Sequence, residues 1–421
     1  MKTLLFISSQ SGFDLKQIPL GGPASIADSF ETEWRKRSDI EFRTLSSALL
    51  GSEAPRNEDF LKYTPTQYID FFSKFEKAVF AEILRYDPQK TVVLSNDSLR
   101  FRPLTEKGYS IYVIHHMNVV DYFTNALLHG CIKSQTALSI FHFMYACFGR
   151  LVPKALKMVF LNQEESVLHT RGSIVPSEGL KRNLLQLYPL AEADRIHVLP
   201  WGSHAEIYED HLLQARKEEL RQRYAIKEDT LVLITLSRIS PEKGQDRLLK
   251  ALELWEKDPG YPSQGIVLLL CGTAGYVQAK PYERALIQST KKLKKVRVLF
   301  PGYVHGLEKQ AHFQLADLYI FPSRHESYGL TLMEAFSAGL PAVGCRNDGT
   351  EQLLHSDYGE LLPAATEDQI PHLLKEAMER IAADPEKRRA MGRKAKEFSD
   401  HHPFSKTADD VVRLLIESGG A

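Results

Sequence analysis

The sequence predicts an α/β fold built from two Rossmann-like parallel sheets, one in each half of the chain. Three observations lead there. Short apolar runs with little polar alternation recur along the chain, the pattern of parallel strands covered on both faces. Segments whose apolar residues recur at helical spacing separate them. This strand–helix rhythm occurs twice, with a break between about Trp201 and Asp229. A chain of 421 residues has room for two or three domains.

In the first half, Thr3–Ser8 reads as a buried strand, Asp70–Arg85 as a helix, and Thr91–Leu94, Ser110–Ile114, Met158–Leu161 and Gly172–Val175 as further strands. In the second, Leu231–Leu236 is a strand and Gln245–Lys257 a helix whose Leu248, Leu249, Leu252 and Trp255 share a face. Strands follow at 266–270, 296–300 and 318–321, then a helix from Leu330 to Ala338 and a strand at 341–344. The tail from Pro385 to Ser418 reads as helical.

Composition narrows the function. Hydrophobic residues make up 43% and charged residues 25%, which excludes a long disordered protein. Lys+Arg and Asp+Glu are both 53, so the net charge does not point to nucleic acid. The four cysteines, at 131, 147, 271 and 345, form no C-x-x-C pair and suit a reducing compartment. The apolar run in MKTLLFISSQ is too short for a signal-peptide core, and the longest one, Leu138–Phe148, is too short to span a bilayer. The expectation is a soluble, cytoplasmic protein.

Four segments can carry chemistry. Arg324–Ala338 places Glu326 and Glu334 around a turn at Gly329, between a strand and a helix. A helix start offers backbone N–H groups to an anion. The two glutamates either accept hydrogen bonds from sugar hydroxyls or are merely solvated. Leu236–Gly244 sets Arg238 and Lys243 about Pro241 in another strand-to-helix turn. Two cations there either clamp a diphosphate or form an ordinary basic loop. Gly21 and Gly22 precede a helix and allow close backbone approach to a phosphate, or are only a flexible turn; the G-x-G-x-x-G fingerprint is absent. His115 and His116 end a strand. On an extended backbone they point oppositely, a poor metal pair, though one can face a cleft.

Together these segments resemble the retaining glycosyltransferases of the GT-B fold, in the large family that includes sucrose synthases, glycogen synthases and bacterial mannosyltransferases (glycosyltransferase family four). LSRISPEKGQDRLLKAL resembles that family's strand–Arg–x4–Lys–Gly–helix donor motif. LLLCGTAG resembles its next strand and glycine turn, and ADLYIFPSRHESYGLTLMEAFSAGLPAVG its E-x7-E motif. SIVPSEGLKRNL and HVLPWGSH resemble weaker features nearer the first half, with Trp201 where Asn is usual.

The resemblance implies two Rossmann-like domains facing across a cleft: residues 1–205 on the acceptor side, 206–395 binding the nucleotide-sugar donor, and a tail at 396–421 packing on the first domain. It implies that Arg238 and Lys243 hold the donor diphosphate and that Glu326, beside Ser327, binds the donor sugar. Gly329 with the Leu330 and Thr331 amides would meet the diphosphate, and Glu334 the ribose. Gly21 and Gly22 would approach the phosphate, and either His115 or His116 would contact the sugar.

It further implies a hexosyltransferase acting by front-face attack on a UDP-sugar, with GDP possible, and an unidentified acceptor: sugar phosphate, lipid, glycan or small molecule. No D-x-D metal site stands out and Asp28 is a poor candidate, so neither metal nor cofactor is expected. Segment 138–157, with Arg150, Lys154 and Lys157, is read as a buried helix with a basic end. The alternative is an interfacial surface for a lipid-linked acceptor, a peripheral membrane contact. Arg100 and Arg102 either bind an acceptor phosphate or are solvated. The rival functions are a non-catalytic sugar-nucleotide-binding or scaffolding subunit, an epimerase or phosphorylase, and an NAD-dependent oxidoreductase.

Overall fold

The computed structural model describes residues 3–13, 21–55, 63–127, 131–204, 206, 208–275 and 279–417. They fall into two compact units, Met1–Pro200 with Phe404–Ala421, and Trp201–Pro403.

The first unit is built on a parallel sheet of β1 (Thr3–Ser8), β2 (Glu41–Ser46), β3 (Thr91–Ser95), β4 (Ser110–Ile114), β5 (Gly172–Val175) and β6 (Ile196–Val198), in the order β2-β1-β3-β4-β5-β6. β1 pairs in register with both β2 and β3, Thr3 lying opposite Glu41 and Thr91. Leu5, Phe6, Ile7, Val93, Leu94, Ile111 and Val113 are fully buried, because helices cover both faces. β2 escapes the apolar-run criterion since it is a half-exposed edge strand carrying Glu41 and Arg43. Helix Pro65–Ile83 starts at a capping box in which Thr64 and Gln67 serve each other's backbone N–H groups.

Two expectations fail here. Met158–Leu161 is not a strand but part of helix Lys154–His169. Phe160, Leu161, Gln163, Ser166 and Val167 are buried at helical spacing, and a four-residue apolar run cannot separate a strand from a helix's inner face. Segment 138–157 is not a buried helix. It spans helix Ser134–Phe148 and the start of the next one, and Ile140, Phe143, Phe148 and Leu151 are exposed.

The C-terminal segment is two helices, Pro385–Asp400 in the second unit and Phe404–Glu417 in the first. Position 396 lies within the former. The latter completes an aromatic cluster: Phe404 meets Phe30 at 4.9 Å, Phe30 stacks on Trp34 at 4.5 Å, and the Trp34 indole N–H donates to Ala408 O at 3.1 Å.

The second unit carries β7 (Leu231–Leu236), β8 (Ile266–Cys271), β9 (Val296–Gly302), β10 (Leu318–Phe321), β11 (Ala342–Gly344) and β12 (Gly359–Leu361) in the order β12-β11-β10-β7-β8-β9, all parallel. Its core joins β-strand residues Leu233, Leu268, Leu270 and Ile320 to Leu248, Leu252 and Trp255 from helix Gln245–Trp255 and Leu374 and Met378 from helix Ile370–Ala382. Burying one such side chain is worth roughly 1.5–3 kcal/mol. Trp201 is itself buried in this unit, its carbonyl accepting from the Tyr328 hydroxyl at 2.5 Å, and the Ser203 N–H donates to His402 O at 2.7 Å.

Each strand order reverses once, between β1 and β3 in the first unit and between β7 and β10 in the second. Loops leaving the carboxyl ends of such neighbours diverge and open a crevice, the usual ligand position of a doubly wound sheet.

Candidate functional site

Both motifs of the second half leave the strands that flank this reversal. After β7 the chain passes Arg238, turns through Pro241–Lys243, and enters helix Gln245–Trp255 at Gly244. After β10 it runs through Arg324 and Glu326 to Gly329 and enters helix Leu330–Ser337. The two loops are stitched together. Arg324 forks onto Asp246 at 2.8 and 2.7 Å and donates to Pro241 O at 2.7 Å, while its own N–H reaches Glu242 O at 2.8 Å. Gly244 sits at φ 67°, and a Cβ there would lie 2.1 Å from Pro322 O. Gly244→Ala is therefore expected to strain the loop junction and destabilise the protein by about 1–3 kcal/mol. Chemical denaturation measures the loss.

Across this junction Lys243 Nζ meets Glu326 Oε2 at 2.6 Å, with both side chains largely buried. Arg238 stands 3.6 Å from Glu242, and its carbonyl accepts from Gln245 Nε2 at 2.7 Å. Gly329, at φ 110°, begins its helix with no side-chain cap, and its carbonyl accepts from the Leu332 and Met333 N–H groups. Leu330 and Thr331 form the first turn, where backbone N–H groups look out along the axis. Ser327 lies in the same loop, and the Thr331 hydroxyl accepts from Tyr319 at 2.7 Å. A third loop, after β11, closes on this one: Gly349 N–H donates to Glu326 O at 2.9 Å, and a Cβ on Gly349 would lie 2.3 Å from the Tyr328 carbonyl oxygen.

Glu334 is placed one turn further along its helix and is buried. Its Oε1 is 2.8 Å from Lys309 Nζ and 3.2 Å from His204 Nε2. Burial pushes this carboxyl up, but Lys309 and His204 outweigh that and hold it down to about 2. Lys309 comes from helix Gly306–Leu315 and His204 from the start of the unit, so neither belongs to the E-x7-E segment.

In the first unit, Gly21 and Gly22 open helix Gly22–Trp34, with Gly21 at φ 92°. Asn96, at the end of β3, donates to Pro23 O at 3.1 Å and has its Oδ1 2.7 Å from His116 Nε2. His115 instead turns into the sheet, with Nε2 3.1 Å from Ser173 Oγ. Burial pushes His115 down to about 3 and His116 down to about 4, so both are neutral at pH 7. His116 meets Asn96 at the β1/β3 end of this sheet, and His115 Nδ1 lies 3.5 Å from Ser98 Oγ in the loop after β3. Asp97 shares that end: its carboxylate accepts from Ser9 N–H at 2.6 Å and Ser9 Oγ at 2.7 Å, and burial pushes it up to about 6.

The structure thus gathers Arg238, Lys243, Glu326, Ser327, Gly329, Leu330, Thr331 and Glu334 on one unit, and Gly21, Gly22, His115 and His116 on the other. Lys309, His204 and Asp97 did not stand out in the sequence. Asp97 had a readable signal, a carboxylate closing an apolar strand. Lys309 had none, because only the tertiary fold brings its helix to Glu334. Among the described residues no three His, Cys, Asp or Glu side chains gather as a metal would require, and no helix is long and apolar enough to cross a membrane. Arg100 pairs with Glu165 at 2.8 Å and Arg102 with Glu106 at 2.9 Å.

Residues 216–398 match the family model described as glycosyl transferases group 1. The chain is similar to D-inositol 3-phosphate glycosyltransferase of Saccharomonospora viridis, 27% identical over 62% of this chain and 59% of that one. It is also similar to alpha-monoglucosyldiacylglycerol synthase of Acholeplasma laidlawii, 25% identical over 55% and 56%. The chain therefore spans less than two thirds of either relative. Its fold matches that of Anabaena HepE, a structure solved in complex with UDP-glucose, with a TM-score of 0.64, 17% identity and coverage of 99% and 100%.

Proposed function

From the glycosyl transferases group 1 domain that the chain carries at residues 216–398, we propose a retaining hexosyltransferase that uses a nucleoside diphosphate sugar. The observation that carries the reading is the stitched pair of loops at the second unit's strand reversal, which puts Arg238, Lys243, Glu326 and an uncapped helix start side by side.

Transfer of a hexose from such a donor leaves negative charge on the departing diphosphate. Lys243 and Arg238 supply fixed cations and the Leu330 and Thr331 amides supply dipoles, so the charge is met without reorganisation. Glu326, beside Ser327, accepts hydrogen bonds from sugar hydroxyls, and Glu334 from the ribose. The acceptor hydroxyl attacks from the face the diphosphate leaves, and a diphosphate oxygen takes its proton. The route asks for no enzymic nucleophile and no metal. His116, neutral at pH 7 with Nε2 donating to Asn96 Oδ1, would meet a sugar hydroxyl as an acceptor at Nδ1. The acceptor side is assigned to the first unit. UDP is the favoured nucleotide, with GDP second, in keeping with the UDP-glucose held by the fold neighbour. The two relatives' names point to different chemistry, an inositol 3-phosphate in one and a monoglucosyldiacylglycerol as the product of the other, so the acceptor follows from neither.

The test is a thermal-shift panel of UDP, GDP, ADP, TDP and NAD, with and without chelator. A ligand at about 100 times its dissociation constant stabilises by about 2.7 kcal/mol. Stabilisation by one nucleoside diphosphate, chelator present, is the expected result, followed by release of that diphosphate from its hexose conjugates. Stabilisation by NAD alone, or by none of them, would reject the reading. Binding without turnover on any acceptor would favour a sugar-nucleotide-binding subunit.

A further inference from the structure

Helix Ser134–Phe148 buries one apolar face and exposes further apolar side chains on the other, beside Gln135, Ser139 and His142. Ala137, Leu138 and Phe141 face inward, and Phe141 stacks on Phe160 at 4.6 Å. Ile140, Phe143 and Cys147 recur at helical spacing on the outward side, where Phe143 is 70% exposed. The turn that follows adds Phe148, 57% exposed, and Leu151, 83% exposed. Five of the fourteen exposed large apolar side chains among the described residues fall between Ile132 and Leu151, so this is a patch and not the usual scatter.

The charge around it has one sign. No Asp or Glu occurs between Asp121 and Glu164, while Lys133, Arg150, Lys154 and Lys157 do, in a chain whose acidic and basic residues are equal in number overall. Lys133 precedes the helix and Lys154 begins the next, both exposed, and Lys157 lies over the Tyr145 ring at 5.6 Å. The carboxylates that follow in sequence are paired, Glu164 with His142 at 2.8 Å and Glu165 with Arg100 at 2.8 Å.

We propose that the outward face of helix Ser134–Phe148 and the turn after it dock reversibly on an anionic lipid bilayer. Phe143, Phe148 and Leu151 enter the boundary between headgroups and acyl chains, while Lys133 and Lys154 meet the headgroup phosphates. Apolar area flanked by cations with no acidic residue between suits a bilayer, where both kinds of contact are available at one plane. A protein partner would need carboxylates placed to match. This proposal stands apart from the transferase reading, since binding to lipid needs no donor.

Flotation of the full chain with vesicles tests it. The chain is expected to rise with phosphatidylglycerol-containing vesicles and not with phosphatidylcholine alone, and to be released by salt. The variant Phe143→Ser/Leu151→Ser should bind roughly a hundredfold more weakly, about tenfold per side chain. Lys133→Glu/Lys154→Glu should lose the preference for anionic lipid. Because both double variants can lose stability, Phe143→Trp is the companion measurement. The three native tryptophans are all at most 2% exposed, so brominated acyl chains should quench only the new one. Failure of the wild type to float, floating that neither double variant weakens, or absence of quenching at position 143 would each overturn the proposal. So would a wild-type dimer in sedimentation that Phe143→Ser dissociates, which would give the face to a second copy.

Discussion

Lys243→Ala is expected to slow hexose transfer about 100- to 1000-fold, the usual effect of removing one preorganised group that meets developing charge. The loss should appear in kcat and in kcat/KM together, because the cation matters most when the diphosphate leaves. Without donor, Lys243 is paired with Glu326 at 2.6 Å, so the same substitution also strips a mostly buried carboxylate of its counter-charge. The two effects separate in the partner variant. Glu326→Ala should also collapse transfer, yet it frees Lys243 for the diphosphate. Free nucleoside diphosphate should then bind as tightly as to wild type, or more tightly. Titration calorimetry on both single variants and the double variant closes the cycle. Loss of diphosphate binding in Glu326→Ala would move that carboxylate from the sugar to the phosphate side. Unchanged turnover in Lys243→Ala would remove the lysine from the site.

The readable part of this molecule is the part where local pattern and tertiary environment agree. β1, β3, β4, β7, β8 and β10 are continuous apolar runs because both faces of each sheet are covered, and sequence spacing alone places them. Arg238, Lys243 and Glu326 are also readable, as turn residues between an apolar strand and a helix, and Glu334 as the second glutamate, inside that helix. What the spacing could not carry was environment. Phe160 and Leu161 look like strand residues until the helical spacing of their buried neighbours is known. Helix Ser134–Phe148 is as apolar as any buried helix, and nothing in its own residues says that half of it is uncovered. Adjacent His115 and His116 are separated only by β5, whose Ser173 takes the first of them. Lys309 lies 25 positions from Glu334 and no local rule joins them.

That last pair supports the second large effect. Lys309→Met should cost about 3–5 kcal/mol at neutral pH, the range for breaking a buried ion pair by removing one partner. The sign of its pH dependence follows from Glu334. In the wild type this carboxyl is held down to about 2, below its ordinary value of 4.5. The pair's contribution is thus complete above about pH 4.5 and fades as pH falls toward 2. Without Lys309, burial pushes the carboxyl up, opposed only by His204 at 3.2 Å. Tyr319 behind Glu334, and Tyr303 and Glu206 beside Lys309, supply no cation in its place. The variant should therefore gain stability relative to wild type as pH is lowered from 7 to 5, so that the gap between their denaturation midpoints narrows. A gap that stays constant over that range would mean Glu334 does not depend on Lys309 for its charge. The double variant Lys309→Met/Glu334→Gln removes both charges and should recover most of the stability. It should not recover nucleoside diphosphate affinity if Glu334 holds the ribose, so stability and binding part company in one molecule. Recovery of both would leave Lys309 and Glu334 as a structural pair and shift ribose recognition elsewhere in the unit.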